Sequence, residues 1–250
     1  MKTPAQLNFW PSFVDVVLLL LCVMLFVLII LSQKEFLSED IKSNQHEMVQ
    51  AVFKELGADL GSCPRGQREC YIDFDRDGRG DIFIINEAEG DQIYRFSELI
   101  LFDSGRANLK EGGKAVLEKI GRAWAQNHAL YSELRVDGHT DNWPIQTEDF
   151  TSNWHLGAAR AVEVANFIEN QCEIDPYKGL TARSFSEYRP AAVSIQQKWT
   201  SSDTVATYNQ QPEDRAKNRR VEVILRISGE SHANQMLEGS TRKPSRYSGD

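Results

Sequence analysis

Leu134-Arg-Val-Asp-Gly-His-Thr-Asp-Asn142, followed by Ser152-Asn-Trp-His-Leu-Gly-Ala-Ala-Arg-Ala161, is the stretch that decides the fold. Leu134 to Asp137 reads as a strand that runs into a turn at Gly138-His-Thr-Asp141, and Asn153 to Asn170 reads as a helix. The same alternation appears on both sides. Upstream, Leu99 to Phe102 reads as strand-like and ends in Asp103-Ser-Gly105-Arg-Ala107. Leu109 to His128 is an amphipathic helix carrying Val116, Leu117, Ile120 and Trp124. Downstream, Leu180 to Phe185 is strand-like, Val221 to Ile227 is a strand after Asn218-Arg-Arg220, and Thr200 to Gln211 reads as a loop insertion. Two strand–helix repeats and a final strand predict a small α+β sandwich over residues 91–228.

The first eighth of the chain is different. Val16 to Leu31 is an unbroken apolar run, and Phe9 to Leu31 contains a single charge, Asp15. A helix of that length spans about 34 Å, enough for a hydrocarbon core of ~30 Å, with Phe9 and Trp10 as interfacial anchors. The run is too long for a signal peptide, and no small-x-small cleavage site follows it. One transmembrane helix over residues 1–33 is therefore expected. The remaining 250-residue composition, 26% charged with net charge -8, excludes wholesale disorder, a polytopic membrane protein and a general nucleic-acid-binding surface. The polar tail at 229–250 reads as disordered.

Asp15 is the first functional candidate. A carboxylate in a bilayer costs about 2.5–3.5 kcal/mol, so it needs a reason to be there. Ser12 and Cys22 share its helix face. Two readings stand: an ion carrier served by a partner, or an Asp that snorkels or only hydrogen-bonds a partner helix.

Residues 34–90 form a connecting module. Leu37, Ile41, Met48, Val52 and Leu56 make an apolar seam on a helix ended by Gly57 and Gly61, suited either to a paired helix or to packing on its own chain. Cys63 and Cys70 enclose the shortest loop among the non-membrane cysteines, so they are the expected disulfide, which requires an oxidising compartment. Asp73, Asp75, Asp77 and Asp81 follow at loop positions 1, 3, 5 and 9, with Gly78 at the turn and the Arg79 carbonyl at position 7. That spacing predicts a structural Ca2+ site. Position 12 is Ile84 rather than Glu, leaving Glu87, Glu89 or water to complete it. The alternative is an ordinary acidic turn.

Five motifs in order carry a resemblance: Phe102-x-x-Gly105-x-Ala107-x-Leu109, Gly138-His139-Thr140-Asp141-Asn142, Ser152-Asn153-Trp154-x-Leu156-x-x-x-Arg160-Ala161, Arg189-Pro190 and Asn218-Arg219-Arg220-Val221-Glu222. They resemble the OmpA-like peptidoglycan-binding domain, in the form found in MotB-type stator subunits. Gly157 departs from that branch, which usually has Ser there. The resemblance implies that Asp141 faces the ammonium and Arg160 grips a carboxylate of the diaminopimelate in the peptide stem. Thr140, Asn153, Leu156 and Arg220 would line the pocket. Taken alone, Asp141 and Arg160 could equally be a salt bridge between loop and helix. His139 reads as a turn-stabilising residue, and no catalytic constellation is expected.

The resemblance also implies topology and partners. The N-terminus would be cytoplasmic and the domain periplasmic, on a single-pass inner-membrane protein. A homodimer would sit within about five copies of a MotA-like subunit, with Asp15 carrying H+ rather than Na+. The compact Cys-loop module between helix and domain is most similar to the ZorB-type subunits of Zorya anti-phage defence, which pair with a ZorA-type partner. A flagellar MotB-like subunit and a passive cell-wall tether are the alternatives.

Overall fold

The computed structural model describes residues 10–59, 63–73, 81–172, 174–175, 179–193 and 201–229, with side chains from Val14 onward except at 33, 34, 36 and 37. The tail beyond residue 229 and most of the acidic loop, with Asp75, Asp77, Gly78 and Arg79, lie outside the described residues.

Helix α1 (Trp10–Leu56) is continuous from the apolar run into the connecting module. Its Val14–Ser32 stretch is long and apolar enough to cross a membrane, and none of it is covered by the rest of the chain. Gly57, with φ of 68°, ends α1. The Ala58 amide donates to the Phe53 carbonyl and the Gly57 amide to that of Lys54, the paired bonds of a Schellman cap that favours Gly at this position.

The seam on α1 packs on its own chain. Met48, Val49, Val52 and Phe53 are buried in the main core with Tyr94 and Trp124. Among the described residues this surface is satisfied without a second copy. Polar contacts fix the dock: the Gln45 side chain donates to the Glu87 carbonyl (3.0 Å), Gln92 donates back to the Gln45 carbonyl (2.8 Å), and Asn44 donates to the Ser228 carbonyl (2.8 Å). From Ser32 to Asn44 the helix rises about 18 Å before docking.

Six strands form one sheet in the order β1-β2-β3-β6-β4-β5: β1 (Glu69–Ile72), β2 (Ile82–Asn86), β3 (Asp91–Ser97), β4 (Tyr131–His139), β5 (Leu180–Ser186) and β6 (Arg220–Ile227). Only β4 and β5 pair in parallel, and helix α4 (Asn153–Gln171) makes the crossover that parallel pairing requires. Helix α3 (Glu111–Gln126) packs beside α1 and α4, so the three long helices share one face of the sheet. The boundary expected at residue 90 falls in the turn between β2 and β3. The two strands are hydrogen-bonded from Ile82↔Phe96 to Asn86↔Gln92, so the connecting module is built into the domain's sheet. Leu99 to Phe102, read as strand-like, is instead mostly the one-turn helix α2 (Glu98–Leu101), and the strand lies just before it.

The expected disulfide is present. Cys63 and Cys70 have Cα atoms 5.3 Å apart and are both buried, tying the segment after α1 to β1. Pairing of Ile72 with Ile82 makes the acidic segment the tip of a hairpin rather than the loop between two EF-hand helices. Ile84, at position 12, is fully buried. Glu87 sits at the far end of β2, about 16 Å away along the strand, and pairs with Arg68 at 2.8 Å. Neither Glu87 nor Glu89 is placed to complete a cation site at that tip.

Gly157 has a packing role. A Cβ on Gly138 would run into the Gly157 carbonyl, and one on Gly157 into the Ser184 hydroxyl. The two glycines let α4 lie against β4 at a distance that Ser would not permit. Thr200 to Gln211 is more than a loop: the described part contains helix α5 (Ser202–Thr207), which leads to α6 (Pro212–Asn218).

Candidate functional site

Asp141 follows the end of β4, on a loop tied down at several points. The Thr140 amide donates to the Ser186 carbonyl (2.9 Å), and Asp141 Oδ1 accepts from the Trp143 amide (3.1 Å). Asn153, the first residue of α4, holds the loop against the helix. Its Nδ2 donates to the carbonyls of Asp141 (3.1 Å) and Trp143 (3.0 Å), and its Oδ1 accepts from the Ile145 amide (3.2 Å). The helix begins here because the Ser152 hydroxyl caps the His155 amide (3.2 Å). Leu156 is buried one turn further on, outside the main apolar cluster.

Asp141 and Arg160 belong to one network but are not paired with each other. Arg219 Nη1 donates to Asp141 Oδ2 at 2.7 Å, and its Nε donates to Glu98 Oε2 at 2.6 Å. Glu98 Oε1 accepts from Arg160 Nη2, while Arg160 Nε donates to the Arg106 carbonyl at 2.9 Å. The Arg160 guanidinium also lies 5.2 Å from the Phe102 ring centroid. Burial lowers the Arg160 pKa and the adjacent Glu98 opposes that shift. The simple Asp141–Arg160 salt bridge is thus replaced by a chain of two carboxylates and two guanidiniums.

Arg160 is 1% exposed and Asp141 7%. The Arg219 side chain is 32% exposed and is the accessible cation of the set. Arg220, expected in the pocket, lies on the opposite face of the sheet. It pairs with Glu222 at 2.8 Å, and strand pleating sends adjacent residues to opposite faces. Glu98 was not anticipated from sequence, where it sits in an ordinary-looking Ser-Glu-Leu-Ile run. His139 is buried, stacked on Phe185 (5.4 Å between centroids), and also faces away from the network. Around the mouth, Trp143, Trp154 and Tyr188 are each about half exposed or more, and Trp154 stacks on Tyr188 at 5.7 Å.

The network has equal numbers of positive and negative groups. An amino acid centre carrying both an ammonium and a carboxylate can exchange into it without leaving a net charge buried. Asp15 is described as an exposed residue in the first turns of the apolar helix, far from this network in sequence.

Residues 101–219 match the OmpA family. With the mixed sheet and single apolar N-terminal helix, this defines an OmpA-like α+β domain carried behind a helix able to cross a membrane. The chain is similar to motility protein B of Bacillus subtilis, with 32% identity over 143 residues, 57% of this chain and 48% of that one. It spans about half the length of the curated relatives it matches. Among solved structures, a MotB-like protein from Desulfovibrio vulgaris superposes with a TM-score of 0.56 at 22% identity, covering 80% of this chain and 99% of that one. A periplasmic domain of Helicobacter pylori MotB gives 0.51 at 18% identity, covering 71% and 100%. At these identities the two structures speak to the fold alone.

Glu98→Gln is expected to destabilise the protein by about 3–5 kcal/mol, because it leaves Arg160 buried without a carboxylate. Urea unfolding of the detergent-solubilised chain, followed by circular dichroism, measures this. A loss below about 1 kcal/mol would show that the network does not hold the domain together.

Proposed function

We propose that this protein is the peptidoglycan-anchored B-type subunit of an ion-driven stator. The carrying observation is the Asp141–Arg219–Glu98–Arg160 network beside the loop that Asn153 pins. In this reading Asp141 receives the ammonium of a stem-peptide diaminopimelate. The exposed Arg219 takes its carboxylate, with Arg160 behind it, a correction to the direct grip assigned to Arg160 by sequence. Trp143, Trp154 and Tyr188 offer apolar ring faces to the sugars alongside. The domain would be periplasmic and the N-terminus cytoplasmic, on a single-pass inner-membrane protein, which agrees with the Cys63–Cys70 disulfide.

Asp141→Ala and Arg219→Ala, in the full chain in nonionic detergent, should each reduce co-sedimentation with purified sacculi at least tenfold, the loss of one charge-assisted hydrogen bond. Both variants binding like wild type, with unchanged circular dichroism, would remove the pocket from this role.

The uncovered surface of Val14–Ser32 supports a partner or lipid environment. We assign it to a homodimer enclosed by about five MotA-like subunits, with Asp15 as H+ carrier. One charge crossing 100 mV releases about 2.3 kcal/mol, which is the work available per protonation step. The short connection between helix and domain favours a ZorB-type subunit of Zorya defence over a flagellar one. A neighbouring gene for a MotA-like protein, beside defence helicases rather than flagellar genes, would separate the two. Asp15→Asn should abolish proton flux in proteoliposomes holding the chain and its cognate partner while leaving the complex assembled. Undiminished flux would make the span a passive tether.

The hairpin tip is proposed to bind Ca2+ through Asp73, Asp75, Asp77 and Asp81, with the Arg79 carbonyl and water. It would then stiffen the edge of the sheet. The full chain should melt at higher temperature in millimolar calcium than in chelator, and Asp75→Ala should erase the difference. An identical melting temperature in both, with no metal by elemental analysis, would leave an ordinary acidic turn.

A further inference from the structure

The face of the sheet turned away from the three long helices carries a second charged cluster, which the wall-binding reading does not use. Register places His139 beside Arg220 and Asp137 beside Glu222, with Arg95 on the other side of Glu222 and Arg183 beside Asp137. Arg189 and Val193 from the loop after β5 close over them, leaving a cavity of about 40 Å³. That is room for about three waters, or for one oxyanion head.

The cavity has more cations than its carboxylates can serve. Arg95 and Arg220 both donate to the same oxygen of Glu222, at 2.8 Å each. Asp137 is taken up by Arg183 through two parallel bonds of 2.8 Å. Arg135 turns outward to Asp91 at 3.1 Å, which it shares with Arg226. Arg189 has no carboxylate partner among the described residues, and its guanidinium sits 3.8 Å over the Phe185 ring. Five guanidiniums therefore line the pocket against two carboxylates.

His139 completes the lining. It is 2% exposed, and among the described residues neither ring nitrogen makes a hydrogen bond. The nearest carboxylate oxygen is Glu222 Oε2, at 3.6 Å from Nε2. Burial and the adjacent Arg220 lower its pKa against the pull of Glu222 and Asp137, so at neutral pH the ring is uncharged and offers one N–H donor. A buried donor without an acceptor, under an excess of guanidinium, lacks an anion.

We propose that this pocket binds a phosphate-class dianion, received by Arg189 and contacted from the sheet by His139, Arg95 and Arg220. Guanidinium forks match phosphate oxygens in pairs, and a dianion matches the charge excess better than a single carboxylate. The site is independent of the wall-binding network, since Arg219 and Arg220 point to opposite faces. It offers the domain a second point of attachment or a sensor of phosphate chemistry on the far side of the sheet.

The test uses the full chain in nonionic detergent, with phosphate compared with chloride at constant ionic strength. Wild type should gain about 2–4 °C in melting temperature at saturating phosphate. Arg189→Gln should keep the wild-type melting temperature in chloride, because the contact that Arg220 makes there is to the Arg189 backbone carbonyl. It should lose the phosphate-dependent gain, and equilibrium dialysis should show at least tenfold weaker phosphate binding. If glycerol 3-phosphate acts like inorganic phosphate, the ligand is an ester such as a lipid or wall-polymer headgroup. If only inorganic phosphate acts, the ligand is the free ion. No phosphate-dependent shift in wild type, or an equal shift in Arg189→Gln, overturns the proposal.

Discussion

The buried pair of Glu98 and Arg160 is the constraint on which the wall-facing end of the domain depends. Both side chains are almost fully out of water, so neither charge is tolerable without the other. Glu98 opens α2 straight after β3, and Arg160 lies two turns into α4. Arg219, the residue before β6, bridges from Glu98 to Asp141. Two helices, two strands and the loop after β4 are thus held to one another by four charges. The geometry of Asp141 is set before any ligand arrives, and a ligand exchanging into such a site loses little to reorganisation.

The docking of α1 is the second constraint. A single helix begins as a segment with no covered surface and ends with Met48, Val52 and Phe53 inside the core of the domain. Force applied to the domain therefore passes into the apolar segment through continuous helix. The Gly57 cap and the Cys63–Cys70 bridge then return the chain directly into β1. A stator fits such a connection better than a loose tether does, because a flexible linker would absorb torque before it reached the wall.

Much of this was legible in the sequence. The Gly138-His-Thr-Asp141 turn, the helix from Asn153 and the final strand from Val221 fall where periodicity put them, because each has strong local signals. The choice between Arg219 and Arg220 was not legible. Adjacent residues at a strand's start point to opposite faces, so a one-residue uncertainty in where β6 begins exchanges the two roles. Glu98 was missed because its partners lie 62 and 121 residues away, and nothing local marks a buried carboxylate. The connecting module seemed separate because its strands β1 and β2 are short, and their membership of the sheet is decided by pairing with β3.

The central claim is that Asp141 and Arg219 together receive the zwitterionic end of a peptidoglycan stem. A structure of the protein with a diaminopimelate-containing muropeptide tests it most directly. The account predicts the diaminopimelate ammonium within about 3 Å of the Asp141 carboxylate, its carboxylate on the Arg219 guanidinium, and Glu98 still paired with Arg160 behind them. A muropeptide bound elsewhere on the domain, with the Asp141–Arg219 bond undisturbed, would contradict it.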